Sequence, residues 1–99
     1  MEKQKKISIY LAGDCVDCLN DNILAIPGVT GSTIVSSNGY WLDDDTNLIE
    51  EDSYIIQVIA NENLVKKILS KIPLCVYDQD CVLVTIEDVD TILIKLKKS

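Results

Sequence analysis

The chain contains no arginine and no histidine, and none of its apolar runs is long enough to cross a bilayer. Each absence closes off a class of function. Without arginine there is no bidentate fork to hold phosphate, which leaves lysine ammoniums and backbone N–H groups for that task. Without histidine, a serine or cysteine nucleophile lacks its commonest partner base, and no Gly-x-Ser-x-Gly run or phosphate loop is present. The chain reads as a non-enzyme. Positive charge is also scarce: sixteen acids stand against nine lysines, for a net charge of −7, so a nucleic-acid backbone would be repelled. The lysine-rich start lacks the apolar stretch of a signal peptide, and the expectation is a soluble, cytoplasmic protein with no membrane span and no nucleic-acid partner.

What is present is a repeat. Ile23-Leu24-Ala25-Ile26-Pro27 closes one helical stretch and Ile68-Leu69-Ser70-Lys71-Ile72-Pro73 closes another. Each is preceded and followed by a strand-like apolar run, so the chain reads as strand, helix, strand, twice over. A hydrophobic content of 47% in 99 residues predicts one folded domain over 1–99, small enough to lean on self-association.

Period-two alternation of Ile7, Ile9 and Leu11 predicts a first strand at 6–12. Gly13-Asp14 breaks it, with Asp14 placed to cap a helix beginning at Cys15 and carrying Val16, Leu19, Ile23 and Ile26 on one face. Pro27-Gly28 ends that helix. A second strand at 29–37 stops near the turn dipeptide Asn38-Gly39, and a long loop at 40–52 leads to a third strand at 53–60. Asn61 is placed to cap a second helix with a stripe of Leu64, Val65, Ile68, Leu69 and Ile72. Strands at 81–86 and 91–96 follow. The fold class expected is α+β, a ferredoxin-like βαββαβ sandwich with an extra C-terminal strand and two helices on one face of an antiparallel sheet, in spatial order 4-1-3-2. In that order the turn after the first strand, the 40–52 loop and the link from the second helix to the fourth strand emerge at one end, carrying the cysteines and the acidic loop.

Three readings of the cysteines stay open. Cys15-x-x-Cys18 at a helix start is where the dipole favours thiolate, and with Cys81 or Cys75 it could bind zinc or copper(I). It could instead form a reversible disulfide, or the thiols could pack as small hydrophobes. In a cytoplasmic protein a structural disulfide is the least expected outcome. Six carboxylates at Asp43, Asp44, Asp45, Glu50, Glu51 and Asp52 make the loop either a solvated segment or a mobile docking element, with Tyr40, Trp41, Leu42, Leu48 and Ile49 as its apolar contacts.

The run Gly28-Val29-Thr30-Gly31-Ser32-Thr33-Ile34-Val35-Ser36-Ser37-Asn38-Gly39 resembles the second-strand signature of the PII-like signalling superfamily. The segment Val82-Leu83-Val84-Thr85-Ile86-Glu87-Asp88-Val89-Asp90-Thr91-Ile92-Leu93-Ile94 resembles its fourth strand, acidic turn and last strand. The resemblance implies a regulatory homo-oligomer, a trimer, with a small ligand such as an adenine nucleotide in clefts between subunits and an unidentified protein partner engaged by the long loop. It places ligand-binding residues at Gly39, Tyr40 and Trp41, with Lys95 and Lys97 standing for the superfamily's basic pair, one position out of register. The superfamily's glycine-rich phosphate loop is replaced by Pro73-Leu74-Cys75-Val76-Tyr77-Asp78-Gln79-Asp80. Ile26-Pro27-Gly28-Val29 with Tyr40-Trp41 is similar to CutA, a trimeric relative. Gly13-Asp14-Cys15-Val16-Asp17-Cys18 is similar to heavy-metal-associated domains, which place Cys-x-x-Cys between the first strand and the first helix; on this alternative Cys15 and Cys18 bind the metal, with Cys81 and Cys75 as the further ligands that the strand order can bring to them. A ligand-free interaction module is the remaining alternative.

Overall fold

A computed structural model of the chain describes residues 1–77 and 79–97. Its elements are β1 (Glu2–Ala12), a 3₁₀ turn (Gly13–Cys15), α1 (Val16–Leu24), β2 (Thr33–Leu42), β3 (Leu48–Ala60), a second 3₁₀ turn (Glu62–Leu64), α2 (Val65–Ser70), the single-turn α3 (Ile72–Cys75) and β4 (Leu83–Thr91). The four strands form one antiparallel sheet in the order β2-β3-β1-β4, as the repeat implied. This is the α+β ferredoxin-like arrangement.

Directly opposed residues in antiparallel strands share a face, so register assigns the two sides of the sheet. On one side the row Ile34, Ile56, Ile9 and Val84 crosses all four strands. There Ile7, Ile9 and Leu11 of β1 and Ile56, Val58 and Ala60 of β3 meet Val16, Leu19, Ile23 and Ile26 from the first helical segment and Ile68 from α2. Burying each large side chain contributes about 1.5–3 kcal/mol. Among the described residues no helix covers the other side, where the next row is Val35, Ile55, Tyr10 and Leu83, again crossing every strand.

Several expected boundaries move, each for a local reason. Neither helix has a side-chain cap: each is entered through a 3₁₀ turn, and neither Asp14 nor Asn61 bonds the helix start with its side chain. The chain does not turn at Asn38-Gly39 and 40–52 is not a loop. β2 runs on to Leu42 and β3 begins at Leu48, so Tyr40, Trp41 and Leu42 pair with Glu50, Ile49 and Leu48. The reversal comes at 43–47, where stronger turn chemistry is available. Asp43 Oδ1 accepts from the backbone N–H of Asp45 and of Asn47, both at 2.9 Å, and Thr46 adopts φ 63°.

The two C-terminal strands expected at 81–86 and 91–96 are instead one strand. The acidic run that reads as a turn lies opposite lysines of β1, with Glu87 against Lys6, Asp88 against Lys5 and Asp90 against Lys3. Lys5 donates a hydrogen bond to Asp88, holding that carboxyl below and its own ammonium above their usual pKa ranges. Opposite charges directly across a ladder favour the pairing. β4 ends at Thr91 because its partner strand ends at Glu2, and no extra C-terminal strand forms among the described residues; Ile92, Leu93, Ile94 and Leu96 are exposed beyond the sheet.

Candidate functional site

The chain's chemistry collects around the end of the sheet where β1 stops at Ala12. β1 pairs with β3 only as far as Ser53, so the pairs from Asn38 with Asp52 to Leu42 with Leu48 stand beyond the main sheet as a two-stranded arm. At about 3.4 Å per residue the arm projects roughly 17 Å. Its tip carries Asp43, Asp44 and Asp45, and its flanks expose Tyr40, Trp41, Leu42 and Leu48, with Tyr40 60% and Trp41 49% accessible. The Tyr40 hydroxyl donates to Glu50 Oε2 across the strands at 2.8 Å, which raises the phenol pKa because ionisation would remove the donor.

At the root of the arm lies an open cleft of about 810 Å³, walled by Gly13 and Asp14 after β1, by Trp41, Glu51 and Asp52 of the arm, and by Asp80 and Cys81 before β4. Among the described residues its charged lining is acidic, from Asp14, Glu51, Asp52 and Asp80. Gln79 reaches across from the third wall, its amide donating to the Ala12 carbonyl at 3.5 Å. Asp78, beside it in sequence, lies outside the described residues. The expected convergence of the first turn, the acidic segment and the link before β4 is present here.

The cysteines do not assemble as a metal site. Cys18 in α1 and Cys75 at the end of α3 are joined in a disulfide, their Cα atoms 5.9 Å apart and 57 residues apart in sequence. Cys15 and Cys81 stand outside that bond. Cys15 packs against the core with its sulfur 3.6 Å from the Ala12 carbonyl, while Cys81 faces the cleft. Among the described residues no group of three or more Cys, Asp or Glu side chains is arranged to hold a metal ion. The Cys15, Cys18, Cys81 and Cys75 ligand set is therefore not formed, because helix packing brings Cys18 to Cys75, a pairing that Cys-x-x-Cys spacing does not reveal.

The five residues expected to bind ligand are divided within one chain. Gly39, Tyr40 and Trp41 lie on the arm, past the Ala12 end of the sheet. Lys95 and Lys97 follow β4, which leaves the sheet beside Glu2, roughly 33 Å away along β1. Sequence reasoning missed the cleft wall formed by Asp14 and Asp80 and the amide of Asn22 over the disulfide, and only strand register joins the first of these.

No known family profile matches the chain and no curated protein matches it. Solved structures do. The chain is similar to Bacillus subtilis GlnK in its ATP complex, with a TM-score of 0.74 at 13% identity over 88% of this chain and 82% of that one. It is similar to CPII, a nitrogen regulatory PII-like protein from Thiomonas intermedia K12 bound to ADP, AMP and bicarbonate, with a TM-score of 0.66 at 25% identity over 89% and 93%. It is also similar to the divalent ion tolerance protein CutA1 from Ehrlichia chaffeensis, with a TM-score of 0.76 at 13% identity over 94% and 87%. The fold is that of the PII-like and CutA superfamily. No described helix is long and apolar enough to cross a membrane.

Proposed function

We propose that this chain is a small PII-like regulatory protein that works as a trimer, holds a small ligand in clefts between subunits and acts on a protein partner through the 40–52 arm. The observation that carries this reading is the arm itself, a two-stranded projection with exposed Tyr40, Trp41, Leu42 and Leu48 that overhangs a cleft at its root. Exposed aromatics on a projecting element are the residue types that anchor protein interfaces. The uncovered row of Val35, Ile55, Tyr10 and Leu83 on the other side of the sheet supports self-association, since apolar surface of that extent is rarely left wet.

Electrostatics bear on the ligand. Among the described residues the charged groups of a single chain's cleft are all acids, so a nucleotide's phosphates would be repelled there. In this proposal the adenine nucleotide is held where the Lys95 and Lys97 tail of one subunit meets Gly39, Tyr40 and Trp41 of another, which makes binding dependent on oligomerisation. Regulation by binding also suits a chain without histidine better than catalysis does.

Native mass spectrometry tests the proposal, with ATP and ADP added at increasing concentration. The expected spectrum contains three copies of the 11.0 kDa chain and retains nucleotide, and Lys95→Ala with Lys97→Ala lowers nucleotide occupancy without changing subunit count. A strict monomer would sink the assembly, and a trimer that stays empty in millimolar nucleotide would sink the ligand assignment.

A further inference from the structure

The two ends of the disulfide are not equivalent. Cys18 is exposed on α1, whereas Cys75 is only 5% exposed and belongs to the core. Asn22, one turn further along α1, lies over the bond. Its Nδ2 donates to the Cys18 carbonyl at 2.9 Å and sits 3.4 Å from Cys75 Sγ and 3.6 Å from Cys18 Sγ. A solvent-facing sulfur can be attacked, and a buried sulfur facing an amide N–H has a donor ready for the charge it would carry as a leaving group.

The bond also ties down one wall of the acidic cleft. α3 runs directly into the segment that supplies Gln79, Asp80 and Cys81 to that wall, and Cys75 is the covalent anchor of this stretch to α1. Among the described residues its other attachments are the half-buried Ile72, Val76 and Val82 against the core and the 3.5 Å contact of Gln79 with Ala12.

We infer that Cys18–Cys75 is a thiol–disulfide exchange site for a dithiol reductant and that its reduction loosens the cleft wall. A thiolate of the reductant attacks Cys18 Sγ, forming a mixed disulfide. The S–S bond breaks, its electron pair leaves on Cys75 Sγ, and that sulfur takes a proton. The reductant's second thiol then displaces Cys18 as a thiolate, which is protonated in turn. Two electrons and two protons pass to the protein, and the reductant leaves as its own disulfide. The arm and cleft thereby acquire a redox input separate from any ligand.

The test uses the full chain with dithiothreitol as the probe, and every readout is taken without ligand or partner. Maleimide labelling in denaturant should add two labels to the oxidised chain and four after reduction, and peptide mapping should link residue 18 to 75. Amide hydrogen exchange over 72–83 should speed up about tenfold on reduction. The emission of Trp41, the sole tryptophan, should shift at the same reductant concentration. Asn22→Leu should keep the bond but slow its reduction about fivefold, by removing the donor beside the leaving sulfur. Four labels without reductant, a bond that survives millimolar dithiothreitol under native conditions, or exchange over 72–83 that is the same in both states would each overturn the inference. A reduction rate unchanged in Asn22→Leu would overturn the assignment of Cys75 as the leaving sulfur.

Discussion

The two halves of the molecule start from nearly the same sequence pattern and use it differently. In the first, α1 is a nine-residue helix that buries Val16, Leu19 and Ile23, and Ile26 follows them into the core. In the second, α2 has six residues and fully buries only Ile68, and a further turn, α3, completes the layer. The shared Ile-Pro dipeptides have opposite roles. Pro27 lies in the exit from α1, and Gly28 after it takes φ 97°, a left-handed conformation that turns the chain into β2. Pro73 has no glycine after it and instead opens α3, a position where a missing N–H costs nothing. Hydrophobic spacing thus sets where a helix lies, while the residues just past its end decide how much of it is held by packing and how much must be tied. The first half is held by its core and the second is tied to it through Cys75.

Reducing the disulfide should break this comparison hardest. Releasing a closure across 57 residues is worth about 4 kcal/mol in the chain-entropy account, read as a shift of the urea midpoint with and without reductant. Ile23→Ala should follow at about 3 kcal/mol, because the side chain is fully buried, and Leu69→Ala in the second half should cost less than half of that. The same urea titration run on both variants checks the asymmetry. Gly28→Ala should cost about 2 kcal/mol, since an added Cβ would meet Leu64 Cδ1 at 3.1 Å in a backbone conformation that L residues rarely adopt. Thr46→Gly should act in the other direction, stabilising by about 1 kcal/mol by relieving a β-branched residue at φ 63° in the arm's turn.

The smallest effect belongs to the exposed Lys5–Asp88 pair. Hydrogen bonding from Lys5 lowers the Asp88 pKa, so the pair's contribution is present above the ordinary carboxylate range and is lost as pH falls through the folded value. The raised Lys5 pKa has the opposite sign, its contribution disappearing only as pH rises through the lysine range. Asp88→Asn should flatten the acid limb of a melting-temperature profile slightly and leave neutral pH nearly unchanged.

The strand order, the buried alternation in β1 and the apolar stripe of α1 are legible in the sequence because each is a local period. The features misjudged there depend on what lies opposite. Glu87-Asp88-Val89-Asp90 has the composition of a turn and becomes strand because Lys3, Lys5 and Lys6 stand across from it. Asn38-Gly39 has turn chemistry too, yet Asp43 offers its carboxylate to two backbone N–H groups and captures the reversal instead. For the site, register explains why the acidic segment, the first turn and Cys81 share a cleft, and the repeat made that register readable. The pairing of Cys18 with Cys75 was not readable, since it follows from where α3 docks, and the breakup of the helical layer into α2 and α3 has no signal beyond Pro73.

Sedimentation equilibrium at micromolar concentration tests the central claim most directly, because the proposed ligand site needs a second subunit and the apolar sheet row is a surface for one. The account predicts a single species of three chains, and Tyr10→Lys, which places charge in the middle of the apolar row, should shift it toward smaller species. A wild-type chain that sediments as one copy across that range would contradict the account.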